Sequence, residues 1–240
     1  MGRPWRLPFS PYARICQVPI EIVRQKLIEI FTRWGKAGCF RVDNGEPFGS
    51  ALINPTPPLA LWLIAHDIDV TWNKPYCPQM NNRVEKMQDT TQRWAEVSKC
   101  RNLEELQDKL NQQIKIQRET FPVVRLKNKT RLQEFPQLET SRRIFSPQDF
   151  NPQRVYDFLA KKIFTRKVSS AGQINHFGQK ITVGSLYKEQ YVQLQLNKDK
   201  IEWVITANHK EVKNTPAIHL SSDRILNMTV FSKNEKNNKT

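Results

Sequence analysis

The spacing of apolar residues changes along this chain, from a helical repeat in its first half to alternation in much of its second half. One helix face is predicted by apolar residues three or four positions apart: Ile20, Val23, Leu27, Ile28, Ile30, Phe31 and Trp34. Gly35 follows this run, at a position where helices commonly end. Pro57 and Pro58 then precede the continuously apolar residues 59–65, which predict a short, mostly buried helix.

Two short strands are predicted on either side of that helix. Residues 37–42 form an apolar run that ends in a turn sequence at 43–45, and they predict a buried strand. Apolar and polar residues alternate over 68–72, which predicts a second strand, and residues 73–80 contain two prolines and predict a loop. With the helices that follow, these elements predict an α/β domain over residues 1–119.

Residues 82–119 show a helical repeat in two pieces. The face of the first piece is formed by Val84, Met87, Thr91 and Trp94, and that of the second by Leu103, Leu106, Leu110 and Ile114. Asn102 and Glu105 have the spacing of a capping box, which predicts that the second helix begins between them. We expect both apolar faces to lie in the core.

After a basic stretch that contains three prolines, apolar residues recur at every second position instead of at helical spacing. Residues 121–150 predict an extended connector, and a short amphipathic helix over 153–164 completes a connecting segment at 120–165. Short alternating runs broken by glycine and asparagine over 166–231 predict a small all-β barrel. The polar residues 232–240 predict a disordered tail.

Positive charge lies mainly behind the first predicted domain. The 240 residues contain 38 Lys and Arg and 23 Asp and Glu, a formal net charge of +15. Residues 1–120 hold 17 basic and 13 acidic residues, whereas residues 121–240 hold 21 and 10. This asymmetry favours a segment that binds nucleic acid, with a solvated linker as the alternative. The predicted phosphate contacts are Lys127, Lys129, Arg131, Arg142, Arg143, Lys161, Lys162, Arg166 and Lys167.

Composition argues against several classes of protein. No apolar run approaches the roughly 18 residues of a membrane-spanning helix, so we expect neither a membrane protein nor a membrane partner. The four cysteines are far apart and form no CxxC pair, which argues against a zinc site and against a disulfide scaffold. We expect free thiols and a cytoplasmic location.

Two acidic residues occupy positions where catalytic carboxylates are found. Asp43 follows a predicted strand of an α/β sheet, where reactive groups are exposed, and Glu85 lies in the first turn of a predicted helix. Two such carboxylates can share divalent cations and align the oxygens of phosphodiester chemistry. Each residue also has a structural interpretation, Asp43 as a turn former and Glu85 as a charge that complements the helix dipole.

The chain resembles the integrase core of bacterial insertion-sequence transposases in four segments that occur in this order: Val42-Asp43-Asn44-Gly45-Glu46-Pro47-Phe48-Gly49, Leu61-Trp62-Leu63, Pro75-Tyr76-Cys77-Pro78-Gln79-Met80-Asn81 and Val84-Glu85-Lys86. This resemblance covers about residues 12–230. It implies a ribonuclease-H-like fold and an Asp, Asp, Glu triad that holds Mg²⁺ or Mn²⁺, with Asp43 as the second acid and Glu85 as the third. It also implies DNA as the partner of the connector and barrel, a second copy on the element ends, and a bacterial, nucleoid-associated protein.

The sequence departs from that family in two places. The first acid of the triad has no counterpart, because no Asp precedes Asp43 and the earlier acids Glu21 and Glu29 lie on the first predicted helix. Asn82 stands where the family usually has Gly in the turn before the third acid, and Asn tolerates a left-handed backbone. The expected fold is therefore an incomplete, N-terminally truncated α/β ribonuclease-H-like domain, followed by a basic linker and a small all-β barrel.

These features predict a DNA transposase- or integrase-like protein for Mg²⁺-dependent phosphodiester cleavage and strand transfer in DNA integration. Because one acid is missing, we expect this chain to have little or no activity alone. One alternative is a degenerate DNA-binding remnant without catalysis. A third hypothesis, from another class, is an interaction module that carries an unrelated α/β domain.

Overall fold

A computed structural model of the chain describes residues 18–45, 47–49, 56–80, 82–139 and 143–231. Its helices are α1 (Ile20–Trp34), α2 (Pro58–Ala65), α3 (Asn82–Ala95), α4 (Leu103–Glu119), α5 (Arg131–Glu134), α6 (Pro152–Ala160) and α7 (Ser222–Leu226). Its strands are β1 (Cys39–Val42), β2 (Asp69–Trp72), β3 (Ile163–Lys167), β4 (Gln173–His176), β5 (Gln179–Thr182), β6 (Tyr191–Asn197), β7 (Glu202–Ala207) and β8 (Lys210–Pro216). None of the helices in these ranges is long and apolar enough to cross a membrane.

The first region is built around the parallel strands β1 and β2, which are joined through α2. The helix predicted at 20–34 is confirmed, and the N–H of Gly35 donates to the carbonyl of Phe31 at 2.8 Å. Both strands lie where they were predicted, but the prediction that β1 is buried is wrong. Val42 is buried while Cys39 and Arg41 are exposed, because only one face of the strand is covered by the described residues.

Helix α2 is buried from its second residue to its end. Every residue from Leu59 to Ala65 is at most 4% exposed, and the helix packs against α6 and α7 of the second region. The N–H of Asn151 donates to the carbonyl of Ala65 at 2.9 Å, and Arg154 donates to the carbonyl of Ile64 at 3.2 Å. These bonds satisfy carbonyls at the end of α2 that have no partner within the helix. One hydrophobic core therefore extends from the α/β elements into the all-β elements.

Residues 121–150 do not form the extended connector that was predicted. Their described part contains α5 and three short 3₁₀ turns, at Val124–Leu126, Pro136–Leu138 and Pro147–Asp149. Phe145 packs against three aromatic rings of the first region, with ring centroids 6.2 Å from Phe31, 6.0 Å from Trp62 and 5.3 Å from His66. The extended connector was predicted from the prolines and charges of this segment. Burial of the apolar Phe145 side chain instead holds the segment against the core.

The second region is a four-stranded antiparallel sheet in the order β3-β6-β7-β8, with a separate β4–β5 hairpin. The predicted alternation is confirmed in β6, where Val192, Leu194 and Leu196 are buried and the residues between them are exposed. Closure into a barrel stays a prediction, since β3 and β8 each pair with one strand among those described. Two boundaries differ from the prediction: α6 ends at Ala160, and residues 218–226 form a 3₁₀ turn and α7.

Helices α3 and α4 confirm the two-piece helical prediction, but their apolar faces are not in the core. Val84 and Met87 on α3 are 52% and 48% exposed, and Leu103 and Ile114 on α4 are 83% and 49% exposed. Asn102 caps α4 by accepting from the N–H of Glu105 at 2.8 Å. The two helices contact each other near the end of α4. There Gln117 donates to Thr91 at 2.8 Å, and the ring centroid of Trp94 lies 5.1 Å from that of Phe121, which follows α4.

Candidate functional site

Asp43 lies at the edge of the sheet where both parallel strands end. The N–H of Asn73, which follows β2, donates to the carbonyl of Val42 at 2.9 Å. The side chain of Asn44 donates to the carbonyl of Asn73 at 3.1 Å. The segments that leave β1 and β2 are therefore bonded to each other, and Asp43 lies beside the start of the loop that leads to Glu85.

The Asp43 carboxylate is exposed and shapes its own turn. One of its oxygens accepts a hydrogen bond from the N–H of Gly45 at 3.1 Å, which is the structural role that the turn sequence predicted. Within the described residues, no donor contacts its other oxygen. The neighbouring Asn44 has a side-chain oxygen, Oδ1, that is buried and has no hydrogen-bond partner in the described part of the chain. This buried acceptor is a feature that the sequence did not indicate.

Glu85 lies in the first turn of α3 with its side chain exposed. The loop ahead of it is compact, because the N–H of Lys74 donates to the sulfur of Met80 at 3.4 Å and a 3₁₀ turn spans Pro78–Met80. Asn82 is the first residue of α3, so it does not form the left-handed turn that was expected before the helix. A cation shared between Glu85 and Asp43 stays a prediction.

The donor atoms at this edge suit a hard cation in type. Mg²⁺ and Mn²⁺ prefer carboxylate, amide and water oxygens, which Asp43, Asn44 and Glu85 can supply. In the ranges that the structure describes, no group of three or more His, Cys, Asp or Glu residues is placed to hold a metal ion. Binding of a cation by these oxygens stays a prediction.

Tyr76 is a further residue at this edge that the sequence did not single out. It lies in the loop between β2 and α3, and its side chain is fully exposed, at 101%. Its backbone has a φ of 60°, which is unfavourable for an aromatic residue. An exposed ring in this position can stack on a nucleic-acid base. The signal in the sequence was an aromatic residue inside a loop with two prolines.

Most of the predicted phosphate contacts are engaged with the protein itself. Arg142 lies outside the described residues. Four of the others donate to protein oxygens: Arg143 to Asp67 at 2.8 Å, Lys129 to Glu134 at 3.1 Å, Lys167 to Glu189 at 2.6 Å, and Arg131 to the carbonyl of Gln117 at 2.6 Å. Asp67 also pairs with Arg154 at 2.5 Å, so this acid joins Arg143 of the folded connector and Arg154 of α6 to the end of α2.

Lys162 and Arg166 are partly buried. The Lys162 ammonium lies 4.3 Å from the ring centroid of Phe158 and 5.3 Å from that of Trp72, and burial lowers the pKa of this lysine. Arg166 donates to the carbonyl of Thr165 at 2.8 Å, and burial lowers its pKa as well. Both side chains are thus less accessible to DNA than their positions in a basic segment suggested.

Lys127 and Lys161 are exposed members of the predicted set whose side chains are not engaged by the described protein. Neither side chain has a hydrogen bond or an ion pair to another residue within the described ranges. They can therefore contact phosphate without first breaking an interaction in the protein. The role of the whole set in DNA binding stays a prediction, and these two lysines are the best placed to test it.

Three histidines for which the sequence predicted no role are buried. His176 is completely buried, and its ring lies 4.3 Å from Trp203 and 4.8 Å from Phe164. Neither of its ring nitrogens has a partner among the described residues, and desolvation lowers the pKa of His176 to about 3. His66 is bonded through Nδ1 to the carbonyl of Trp62 at 2.8 Å, and His219 is the third. These rings belong to the core rather than to the sheet edge.

In a scan against protein-family models, none matches this chain. The likeness to integrase cores therefore depends on the four quoted segments and on the elements that carry them. Within the described residues, the first segment begins at the last residue of β1, the second lies in α2, the third lies in the loop after β2, and the fourth lies in α3.

Proposed function

We propose that this chain is the DNA-contacting part of an integrase-like transposase, with Asp43 and Glu85 as ligands of Mg²⁺ or Mn²⁺ for phosphodiester cleavage and strand transfer. The observation that carries the proposal is the parallel β1–β2 pair. It brings Asp43 to the same edge as the loop that leads into the helix of Glu85. A divalent cation held there supplies charge stabilisation to a scissile phosphate.

In this proposal, residues of the chain supply both the metal ligands and the contacts to DNA. Asp43 and Glu85 bind the cation, and the buried Oδ1 of Asn44 offers it a third protein oxygen. Tyr76 offers a ring to an unpaired base beside the edge, while Lys127 and Lys161 neutralise phosphates farther along the DNA. Two carboxylates do not balance two divalent cations, so this chain alone is expected to bind metal and DNA with little or no strand transfer.

The metal site is tested by Mn²⁺ binding to the full chain, measured by electron paramagnetic resonance or calorimetry. We expect Asp43→Asn and Glu85→Gln each to weaken binding by at least about tenfold, which is 1.4 kcal/mol. Asp69→Asn is the matched control, because Asp69 is also exposed but begins β2, at the opposite end of the strand pair. If Asp43→Asn binds Mn²⁺ like the unchanged protein, the site assignment is wrong.

DNA contact is tested by the dependence of duplex affinity on salt. A protein that binds phosphates loses affinity steeply as salt rises, and each lost contact reduces the slope by about one. We expect this reduction for Lys127→Ala and for Lys161→Ala. Lys26→Ala removes the same charge from the exposed face of α1, where Lys26 pairs with Glu29, and should leave the slope unchanged. A slope near zero for the unchanged protein would exclude phosphate binding and favour the interaction module.

The second candidate function is a DNA-binding remnant without catalysis. It is favoured by the incomplete set of acids among the described residues, and it predicts a salt-dependent affinity for DNA with no Mn²⁺ bound at Asp43. The nucleotide sequence upstream of the codon for Met1 separates the two further. An overlapping frame that encodes a strand with an Asp favours a transposase made in two pieces, whereas unrelated DNA favours the remnant.

A further inference from the structure

The carboxylate of Asp67 is held between two arginines from different parts of the chain, which we call the arginine clamp. Its Oδ2 atom accepts from Arg143 of the folded connector at 2.8 Å, and its Oδ1 atom lies 2.5 Å from the guanidinium of Arg154 in the first turn of α6. Each oxygen of one carboxylate therefore meets a separate guanidinium. A phosphodiester also offers two charged oxygens on one atom, and arginine pairs with phosphate as it does with carboxylate.

Both arginines of the clamp are also anchored by backbone carbonyls, independently of the Asp67 carboxylate. Arg154 donates through Nε to the carbonyl of Ile64 at 3.2 Å, and Arg143 donates to the backbone carbonyl of Asp67. Ile64 lies in the last turn of α2, where the helix dipole favours positive charge. If Asp67 lost its charge, these bonds would still hold the two guanidinium groups close together, in a position that suits an anion.

The clamp is accessible to solvent and lies away from the candidate metal site. The side chains of Asp67, Arg143 and Arg154 are 45%, 38% and 40% exposed. Ion pairs between side chains this exposed are weak, so another anion can replace the carboxylate. Asp67 precedes β2, whereas Asp43 lies at the edge where both strands end. The four residues of β2 span about 13 Å, which a duplex covers in about four base pairs, so one DNA molecule can reach both places.

The charge of Asp67 is not needed for the shape of its own turn. Its φ of 65° lies in the left-handed region, which asparagine and glycine also adopt. Two guanidinium groups face one carboxylate, so the clamp keeps an excess of positive charge while its binding positions are occupied. We propose that Asp67 is an internal competitor of DNA, whose carboxylate occupies a phosphate site formed by Arg143 and Arg154 until a backbone phosphate displaces it. This inference rests on the proposed function, because it takes DNA as the partner.

The proposal is tested by measuring the affinity of the full chain for duplex DNA at several salt concentrations. We expect Asp67→Asn to raise the affinity at low salt at least about fivefold and to steepen the salt slope by about one to two, because up to two arginines then contact phosphate. Asp157→Asn is the matched control. Its carboxylate is 43% exposed and pairs with Lys198 at 2.8 Å, and its loss changes the net charge equally. This control should change the affinity by less than about twofold.

A second substitution tests whether Asp67 controls access to the clamp. Arg154→Gln should have little effect on the affinity of the unchanged protein, because Asp67 already occupies that arginine, but it should remove most of the gain in Asp67→Asn. Equal effects of Arg154→Gln in the two backgrounds would overturn the proposal, and so would an equal gain from Asp157→Asn. Asp67→Gly repeats the test with a residue that adopts a φ of 65° without strain, and urea unfolding checks that each variant folds.

The outcome can be told apart from that of the proposed function. A clear salt slope in the unchanged protein, with no gain in Asp67→Asn or Asp67→Gly, overturns this inference alone. A slope near zero in every variant overturns both. DNA binding that appears only when Asp67 is replaced supports the internal competitor and contradicts the proposed roles of Lys127 and Lys161.

Discussion

The four-stranded sheet and the α3–α4 pair place their apolar residues in opposite environments. In the sheet, Val192, Leu194 and Leu196 are buried beneath neighbouring elements of the same chain. In the helical pair, Leu103 and Ile114 occupy an equally regular face and remain exposed. Regular spacing therefore shows which residues share a face, while long-range neighbours decide whether that face is covered. We expect global stability to come from the sheet region and a smaller contribution from the helical pair.

The largest difference between the two regions is expected from single core truncations. Trp203→Ala in β7 removes a completely buried ring and should lower the free energy of unfolding by about 3 to 5 kcal/mol. Leu103→Ala in α4 should change it by less than about 0.5 kcal/mol, because that side chain is exposed. Urea unfolding followed by circular dichroism measures both. Equal losses would contradict the contrast between the regions.

A second difference concerns pH and arises in the sheet region. The pKa of His176 is about 3 in the folded protein, against a usual value of 6.5. Below pH 6.5 the unfolded chain therefore binds a proton that the folded protein excludes, and the free energy of unfolding falls as pH decreases. This loss is about 1.4 kcal/mol per pH unit, or roughly 2 kcal/mol at pH 5. Above pH 6.5, His176 contributes no pH dependence.

The pH effect is measured by comparing urea unfolding at pH 7 and pH 5. His176→Phe keeps a ring among Phe164, Phe177 and Trp203 but cannot take up a proton. We expect this variant to lose less stability than the unchanged protein between the two pH values. If the two proteins lose the same stability, desolvation of His176 is not the cause.

The smallest effect is expected where α3 and α4 meet. Gln117→Ala removes the bond to Thr91 and should weaken the helical pair by about 1 kcal/mol. Since this amounts to about fivefold in an opening equilibrium, amide hydrogen exchange in α3 should rise by that factor. Exchange in β6 and β7 should stay unchanged. Gln112→Ala, at an exposed position of α4, serves as the control. Faster exchange throughout the protein would show that the regions unfold together.

Local chemistry explains the parts of the fold that were predictable. Gly35 ends α1 because a backbone without Cβ adopts a φ of 81° without strain. The alternation in β6 follows from side chains that point to opposite faces of a strand. The folded connector was missed because Phe145 finds its partners more than 75 residues earlier in the chain. Prolines and charges in a short window carry no information about such contacts.

In the candidate site, too, local features were predictable from the sequence and long-range contacts were not. The position of Asp43 after a strand and that of Glu85 in a helix start are local features, and the structure has Asp43 directly after β1 and Glu85 in the first turn of α3. Whether each basic residue is paired, buried or exposed was not predictable, because this depends on partners far away in the sequence. Arg143 meets Asp67, which lies 76 positions earlier, and Lys162 lies against Trp72. The buried acceptor of Asn44 also depends on packing that the turn sequence does not reveal.

The burial of α2 determines how this protein can be divided. A cut after Glu119 would remove α6 and α7 and leave the most apolar helix of the chain facing water. A fragment with the basic residues alone would in turn lose the surface on which its helices pack. Neither half is therefore suited to expression as a separate fragment, and binding measurements require the intact chain. A stop codon between the two regions would therefore remove the second region and destabilise the first.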